Sequence, residues 1–544
     1  MKMMESIPTF KRNALFPFSL HSPMFKCSIV LAVVSCVFGT APLALGQLQP
    51  VNPDSALQLI LKGLEGTPLS IAEALRLGSE NATSLRRAEA GFQASMGAVR
   101  RESGAFDPEL YFNLNYDDQN LPTASFFAGA PVLMNQQTTS QAGLRWGLPI
   151  GTRLEASLNT IRLGTNSAFA FLNPQYTAFA SLTLRQSLLG GFSVSARKGL
   201  SKAEHNMEAA QARRDQEAVA LSAEVERRYW DLYTAERDYA VRRLTREQGE
   251  ALVHEAEQRA KAGLIGPNQV ANARTFLAEQ KVLLLDREED LDRVSDLLAS
   301  LIGTRPAKTR FVAADIPPAE FEVEPVDAMV ERARSVNLEL QAAKADIEAS
   351  RTLANAAGWE ALPSLDVVGS IGGNGLAGAA QDVIFNNDTL RTTVGGGLTD
   401  ALSQASRRDF RTWSLGLQVK VPIGLRSGLG EHDRLQAEAL GTEQRYVELA
   451  RSLEEQVRAS HRELVHGKQR LEAAREGVQA AQEQGRIGLI EFNNGRTTAF
   501  ELVRLGADFA AAQQRYSEAL VRTAKAATTL KQLTSGNLSG TTSK

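Results

Sequence analysis

Apolar residues recur along this chain with two different periods. In residues 270–301 and 502–533 they return every three or four positions, which is the spacing of a coiled-coil seam. The first seam consists of Val270, Ala273, Leu277, Gln280, Leu284, Arg287, Leu291, Val294, Leu298 and Leu301, and the second of Leu502, Leu505, Phe509, Ala512, Tyr516, Ala519, Thr523, Ala526, Leu530 and Leu533. An ordinary amphipathic helix is the alternative for either stretch alone. Two copies in the same register favour the coiled coil.

Four shorter segments alternate between apolar and polar residues, as half-exposed β-strands do. They lie at 110–116, 181–185, 365–372 and 413–421. Any antiparallel strand with one buried face shows this pattern. It also suits a strand that separates lipid from a water-filled lumen. The pattern therefore predicts four strands with one apolar and one polar face.

The segments between these strands are polar. Residues 117–140 and 372–410 are rich in Gly, Asn, Gln, Ser and Thr, and both are predicted to be long loops. Weaker alternation occurs at 142–148 and 154–158, on either side of a Pro-Ile-Gly turn. It indicates either an additional hairpin in this half of the chain or strands that extend beyond a bilayer.

The chain is organised as an internal duplication. We assign a first repeat to 47–303, a Pro-containing linker to 304–325, a second repeat to 326–533 and a disordered tail to 534–544. Each repeat contains a helix, strands, a very long helix, a tight turn and a further helix. The long helix of the first repeat, 193–262, contains no proline and would measure roughly 105 Å at about 1.5 Å per residue. Such a helix must project from a compact body.

A short motif marks the end of each long helix. Gly263-Leu264-Ile265 recurs as Gly488-Leu489-Ile490, and the offset of 225 positions also superimposes the two seams. Gly263 suits the left-handed residue that ends a helix, and Pro267 suits the first turn of the next helix. In the second copy Gly488 is predicted to take the first role. Asn493 or Asn494 is predicted to cap the helix that follows.

The N-terminus has the features of an export signal. Lys2, Lys11, Arg12 and Lys26 precede an apolar stretch at 29–38, and Ala44-Leu45-Gly46 offers a cleavage site. Residues 1–46 are therefore predicted to be a signal peptide. Alternatives are lipidation of Cys36, retention of the stretch as an anchor, and a true start at Met24. If cleavage follows Gly46, the mature chain has no cysteine, since Cys27 and Cys36 are the only two.

Composition and motifs argue against several classes of function. The 60 basic residues balance the 62 acidic residues, whereas a nucleic-acid-binding protein usually carries a basic surface. No cofactor or metal is predicted, since His461 and His466 are five positions apart and miss the spacing of two ligands on one helical face. The glycines at 372–375 lack the Lys-Ser/Thr of a phosphate-binding loop. We therefore predict that the protein is not an enzyme.

The predicted strands cannot form a closed structure within one chain. Transmembrane barrels start near eight strands, and open sheet edges are not tolerated in lipid. An exported chain with four such strands is therefore expected to oligomerise.

With this plan the chain resembles the TolC family of outer-membrane efflux proteins over nearly all of its mature sequence. The resemblance rests on the duplicated plan, the helix opening at 69–75, Pro108 before the first strand, Val421-Pro422-Ile423 after the last strand and the two Gly-Leu-Ile motifs. It implies an α+β membrane protein in the outer membrane. Each chain of a homotrimer would contribute four strands to a 12-stranded barrel and long coiled-coil helices to a periplasmic α-barrel.

The resemblance also implies partners and functional positions. The tips of the helices would dock on a periplasmic adaptor protein, which is coupled to an inner-membrane pump or ABC-type exporter. Those tips would be Gly263, Leu264, Ile265, Gly488, Leu489 and Ile490. In well-known members, aspartates just after the second turn line a periplasmic constriction. The matching positions here are Asn494 and Thr497, with Gln269 after the first turn and Glu491 as a possible substitute.

These uncharged positions change what the constriction is expected to do. A ring of carboxylates would concentrate cations. With Asn494 and Thr497 in that place, we expect a constriction without strong cation selectivity, and the alternative for Asn494 is a simple helix cap. For the whole protein, the competing hypothesis is a non-conducting periplasmic coiled-coil scaffold held at the cell envelope. The cargo does not follow from the sequence.

Overall fold

The computed structural model describes residues 53–125, 128–385, 388–494 and 496–535. The predicted signal peptide lies outside these residues, as does the predicted tail from residue 536 onward. The helices are α1 (Pro53–Lys62), α2 (Ile71–Asn81), α3 (Thr83–Ser103), α4 (Ser193–Lys261), α5 (Pro267–Ile302), α6 (Val326–Val336), α7 (Leu338–Glu360), α8 (Leu398–Arg407), α9 (Arg426–Asn493) and α10 (Ala499–Thr534). The strands are β1 (Thr67–Leu69), β2 (Glu109–Pro122), β3 (Val132–Gly147), β4 (Thr152–Thr165), β5 (Leu172–Leu189), β6 (Phe311–Ala313), β7 (Ser364–Ala380), β8 (Val383–Phe385), β9 (Asp388–Leu390) and β10 (Phe410–Lys420).

The two repeats build two helical hairpins of nearly equal size. In the first, α4 has 69 residues and α5 has 36, and in the second, α9 has 68 and α10 has 36. Each long helix packs against a return helix along one half, α5 or α10, and against the helices that precede the strands along the other half. The predicted seams form these contacts, because none of their residues is exposed.

The helix that precedes the strands is interrupted in both repeats. The predicted single helix from Ser70 to Gly104 is α2 followed by α3, with an extended backbone at Ala82 (φ −60°, ψ 127°). In the second repeat Asn337 adopts the same conformation between α6 and α7, and its side chain accepts from the backbone N–H groups of Glu339 and Leu340. The helix before the strands is thus interrupted at a similar place in both repeats.

A single antiparallel sheet joins the two repeats. Its order is β10-β7-β5-β4-β3-β2, and a small parallel pair, β1 with β6, lies among the helices. All four connections to α3, α4, α7 and α9 leave from one end of the sheet, which we call the helix end. The connections after β2, β4 and β7 lie at the opposite end, which we call the loop end.

The sheet has six strands, so the prediction of four strands per chain is wrong. The weak alternation at 142–148 and 154–158 belongs to the additional hairpin β3–β4. Its strands were difficult to recognise because they are rich in Thr, Ser, Asn and Gln beyond the apolar stretch. The predicted loops are correspondingly shorter, since β2 extends to Pro122 and β3 begins at Val132.

The glycine-rich segment 372–375 is also strand rather than loop. It lies in β7, where α8 crosses the sheet. A Cβ atom at Gly375 would lie 1.8 Å from the carbonyl oxygen of Ala401, and one at Gly373 would lie 2.3 Å from that of Ala405. The glycines therefore let α8 lie directly on the strand, where Ala401 and Ala405 are fully buried.

The largest apolar cluster lies midway along the helices. It is built around Tyr229, Trp230 and Leu232 of α4, with Leu291 and Leu298 of α5, and it also includes residues from the β1–β6 pair. None of the described helices is long and apolar enough to cross a membrane.

Candidate functional site: the helical turns and the sheet

The first turn has the features that the sequence predicted. Gly263 has a left-handed backbone (φ +74°), and its N–H donates to the carbonyl of Ala260 at 3.0 Å. The N–H of Leu264 donates to the carbonyl of Arg259 at 2.9 Å, which completes a Schellman motif. Pro267 then begins α5. Leu264 is left 73% exposed at the end of the hairpin, so this turn presents an apolar side chain to solvent. We call residues 262–266 the first tip.

The second turn lies one heptad later than predicted. The long helix α9 continues to Asn493, and α10 begins at Ala499. The N–H of Arg496 donates to the carbonyl of Glu491 at 2.8 Å. This bond is the counterpart of that between Leu264 and Arg259, at an offset of 232 positions rather than 225. We call residues 494–498 the second tip, of which residue 495 lies outside the described part.

Gly488, Leu489 and Ile490 consequently lie within α9 and do not form a turn. Gly488 is buried, and a Cβ atom there would lie 2.3 Å from Cδ1 of Leu505 on α10. This glycine thus permits close packing of α9 against α10. Leu489 is half-buried and Ile490 is exposed, one to two helical turns before the second tip.

The proposed cap of the following helix is wrong for both asparagines. Thr498 is the N-cap of α10, and its hydroxyl accepts from the N–H of Glu501 at 3.3 Å. Asn494 instead follows the end of α9, where its side-chain amide donates to the carbonyl of Ile490 at 2.8 Å. Asn494 therefore caps a helix, as the simpler interpretation held, but at its C-terminal end.

Of the four predicted constriction residues, only Gln269 lies on a return helix. Gln269 lines a cavity with Ile265 of the first tip and with Thr498 and Phe500 at the start of α10. Glu491 and Asn494 lie at the end of α9 and are exposed, and Thr497 is half-buried in the second tip. The structure thus brings Gln269 close to the start of α10 and leaves the other three residues around the turn.

An acidic residue that the sequence analysis missed follows the second tip. Glu501 is the third residue of α10, as Gln269 is the third of α5. Its carboxylate pairs with Arg504, and this hydrogen bond raises the pKa of the Arg504 guanidinium further above its usual range. The signal was present in the sequence, since Thr498-Ala499-Phe500-Glu501 is a capping-box pattern that marks a helix start.

One face of the sheet is apolar across all six strands. Partners in an antiparallel register point to the same side. One such row runs across the whole sheet and consists of Leu110, Leu144, Ala156, Leu182, Ile371 and Trp413. Neighbouring rows add Phe112 and Leu415. Near the helix end these side chains are not covered, since Leu110 is 81% and Leu415 73% exposed in the single chain. Toward the loop end, α8 lies on this same face, over Ala178 and Gly375.

The opposite face carries hydrogen-bonded polar groups near the helix end. The Tyr111 hydroxyl donates to Glu155 at 2.8 Å, and the Arg145 guanidinium lies 4.1 Å from the centre of the Tyr111 ring. On the other half of the sheet, Asp366 accepts from Arg185 and from the Ser187 hydroxyl, each at 2.6 Å. One face is thus suited to lipid and the other to water.

Two carboxyl groups with raised pKa values lie on α4 among the helices, the buried Glu236 and the half-buried Asp238. Glu236 is 4% exposed and accepts from the N–H of Ala313 in β6 at 2.6 Å. Desolvation raises the pKa of the Glu236 carboxyl to about 8, so this group is mostly protonated at neutral pH. Desolvation also raises the pKa of Asp238, to about 6. Neither group faces a cluster of metal ligands, since no group of three His, Cys, Asp or Glu suited to a metal occurs in the described residues.

The comparisons with known proteins agree with this arrangement. Residues 329–536 match the model of the family described as Outer membrane efflux protein. This part of the chain is therefore similar to the outer membrane efflux protein family. The match covers the second repeat from α6 to the end of α10. No curated protein matches the chain.

Solved outer-membrane channels and an outer-membrane protein share the fold of this chain. The outer-membrane channel OprN is 17% identical, with a TM-score of 0.61 over 86% of this chain and 90% of that chain. The CmeC outer membrane channel of Campylobacter jejuni is 11% identical, with a TM-score of 0.61 over 85% of both chains. The outer membrane protein VceC from Vibrio cholerae is 14% identical, with a TM-score of 0.60 over 86% of this chain and 96% of that one. The resemblance to the TolC family and the TolC-like α+β fold are confirmed.

Proposed function

We propose that this chain is a subunit of an outer-membrane exit duct that passes substrates from an inner-membrane transporter, through a periplasmic adaptor, to the outside. The observation that carries the proposal is the six-stranded sheet, with its uncovered apolar face, at one end of helices roughly 100 Å long at about 1.5 Å per residue. The match of the second repeat to the outer membrane efflux protein family model supports the same function.

The sheet favours a location in the outer membrane. Its apolar face includes Trp413, Leu415 and Leu417, which are 65–73% exposed. Exposed apolar surface of this extent is unfavourable in water and favourable against lipid. The strands have 11 to 18 residues, and about ten residues suffice to cross a bilayer. We propose that three chains form a homotrimer, with the helices in the periplasm.

The tips are the proposed docking sites for the adaptor. In the first tip, the exposed Leu264 lies beside Gly263 and Ile265, and these residues remain the proposed contact there. In the second repeat the proposed contact moves to the second tip, because Leu489 lies within α9. A proton-driven pump and an ABC-type exporter are both suitable inner-membrane partners for such a duct.

We propose that the start of the return helices forms the constriction. Gln269 on α5 and Glu501 on α10 occupy equivalent positions after the two tips. Thr497 belongs to the same region, whereas Glu491 and Asn494 lie at the end of α9. Arg504 pairs with Glu501 and offsets part of its charge, which supports only weak cation selectivity.

A non-conducting periplasmic scaffold accounts for the helices but not for the sheet. Such a protein has no need for an apolar face that continues over six strands, and that face would promote aggregation in water.

Fractionation of cells that express the full chain tests the proposal. We expect the protein in the outer membrane, with migration in gels that changes on heating, and we expect loss of export when the gene is deleted. Leu415→Asp with Leu417→Asp should prevent stable membrane insertion. The matched control, Ser414→Asp, carries the charge on the polar face and should insert. Release of the wild-type protein by osmotic shock alone would favour the scaffold instead.

A further inference from the structure

We propose that, in the trimer, the free edge of β2 in one subunit pairs with the free edge of β10 in the next, which closes a barrel of eighteen strands. Three subunits with six strands each supply that number. This inference rests on the trimeric duct proposed above. The proposed contact lies between copies of this chain, and it determines the width of the barrel.

The two outer strands are the unpaired parts of the sheet. β2 has 14 residues and pairs only with β3, and β10 has 11 residues and pairs only with β7, within the described part of the chain. Each therefore presents a row of backbone N–H and C=O groups with no partner on its outer side. Such groups cost several kcal/mol each in lipid. Another copy of the same chain is always present wherever these edge strands are, so we take it as the partner that pairs with them.

The direction of the outer strands suits this pairing. Every neighbouring pair in the sheet is antiparallel, so six strands leave β2 and β10 running in opposite directions. β2 leads from the helix end to the loop end, and β10 leads back. When β10 of one subunit lies beside β2 of the next, the contact is again antiparallel and the ring closes without a parallel pair.

The chemistry of the two faces also continues across this contact. On β2, the side chains of Leu110, Phe112 and Leu114 belong to the apolar face. On β10, Leu415 and Leu417 belong to the same face. Pairing the strands with these residues on one side places Asn113 beside residues such as Ser414 and Gln418 on the other. Near the helix end, where α8 does not cover the sheet, the apolar and polar sides therefore continue around the ring.

The number of strands determines the width of the opening. Barrel diameter grows roughly linearly with strand number, so eighteen strands give about 1.5 times the diameter of twelve. Barrels of about 16–18 strands leave an aqueous channel. The groups on the polar face, including Arg145, Glu155, Arg185 and Asp366, would line this channel. The barrel part of the duct would therefore be wider than a twelve-stranded barrel of the same fold, whatever the width of the proposed periplasmic constriction.

Cysteine pairs in the full-length protein in outer membranes test the contact. Phe112→Cys is combined in turn with Leu415→Cys, Leu417→Cys and Val419→Cys, which lie on the same face, and the membranes are oxidised. We expect at least one combination to give disulfide-linked dimers and trimers and no larger species. Phe112→Cys with Gln418→Cys, on the opposite face, is the control. Variants with only one of the engineered cysteines show how much cross-linking arises without the designed pair, including any that involves Cys27 or Cys36. Absence of linked species in all three same-face pairs would overturn the pairing.

Removal of one hairpin tests the width. Deleting residues 126–168 removes β3 and β4 and leaves β2 and β5 as neighbours with antiparallel directions and matching faces. We expect a trimer with twelve strands, whose barrel diameter in electron-microscopy images falls to about two-thirds. An unchanged barrel diameter in this variant would contradict eighteen strands. If the deletion variant does not insert, the cysteine pairs in the full chain decide the question.

The two proposals can fail separately. Export and outer-membrane fractionation of the wild type without any β2–β10 disulfide would retain the duct and reject this barrel. Loss of outer-membrane location would reject both.

Discussion

The carboxyl group of Glu236 on α4 accepts a 2.6 Å hydrogen bond from the backbone N–H of Ala313 in β6. This contact ties the linker after the first repeat to the middle of the long helix. Because the site is buried, the pKa of Glu236 is raised from 4.5 to about 8, and the folded protein holds a proton that the unfolded chain releases above about pH 4.5.

Stability should therefore decrease with pH because of this one group. The folded state binds more protons than the unfolded state between about pH 4.5 and about pH 8, so the free energy of unfolding falls over this window by at most about 1.4 kcal/mol per pH unit. Glu236→Gln keeps the acceptor oxygen and should remove this dependence. Thermal unfolding at several pH values measures it, with Glu279→Gln on the exposed side of α5 as the control. Equal pH profiles for the wild type and Glu236→Gln would contradict the assignment.

Gly488 should tolerate alanine less well than a glycine of the same helix that has open space around it. Its missing Cβ would lie 2.3 Å from Cδ1 of Leu505, so in Gly488→Ala the leucine side chain must move aside, which should offset the stabilisation that alanine gives a helix. Gly485→Ala is the matched control one helical turn away, with no atom within 4 Å of the added Cβ. There alanine should stabilise the helix by about 0.5–1 kcal/mol. The unfolding midpoint should rise for Gly485→Ala and should rise less or fall for Gly488→Ala, and equal shifts would argue against close packing at Gly488.

Gly375 should likewise be required for α8 to lie on β7. A Cβ at this position would lie 1.8 Å from the carbonyl of Ala401, whereas a Cβ at Gly369 meets only Leu415 at 3.8 Å. Gly375→Ala should displace α8 and increase trypsin cleavage after Arg407 or Arg408. Gly369→Ala should leave cleavage unchanged. The rates are compared on membranes by gel analysis, and resistance of Gly375→Ala equal to the wild type would count against this packing.

The exposed leucine of the first tip should be needed for export. Leu264→Asp replaces a 73% exposed apolar side chain with a charge, so it should reduce or abolish export while the trimer stays folded. Ala278→Asp, at an exposed position on α5 well away from the tip, is the control. Leu489→Asp, within α9, should act mainly through stability. Drug resistance or secretion is measured beside the thermal stability of the trimer, and full export by Leu264→Asp would exclude this tip as the docking site.

Much of the helical part could be predicted, because long amphipathic helices carry a strong periodic signal. The part of the helical region that the sequence did not predict correctly is the position of the second tip. A heptad pattern superimposes on itself after seven residues, so the seams fit the offsets 225 and 232 equally well. The repeated Gly-Leu-Ile motif selected the wrong one. Thr498, whose hydroxyl accepts from the N–H of Glu501, marks the observed helix start, and the Thr-x-x-Glu pattern was visible in the sequence.

The sheet was harder to predict beyond its apolar rows. Toward the loop end, β3 and β4 carry Thr, Ser, Asn and Gln on both faces, so alternation disappears there although the strands continue. In β7, the glycines at 372–375 resemble a loop in composition, because their role is contact with α8. Such tertiary contacts leave no periodic trace in the sequence. The sequence also could not show that Gln269 and Glu501 occupy equivalent positions in the two return helices, because that equivalence follows only once the second tip is placed correctly.

The hairpin β3–β4 shows how a duct of this kind can change size. One extra strand in a subunit would reverse the direction of every strand that follows and would send the next helix to the wrong side of the membrane. Two extra strands leave both the helices and the seams undisturbed. In the proposed threefold assembly, the barrel can therefore widen or narrow only in increments of six strands, while the helical part of the subunit stays unchanged.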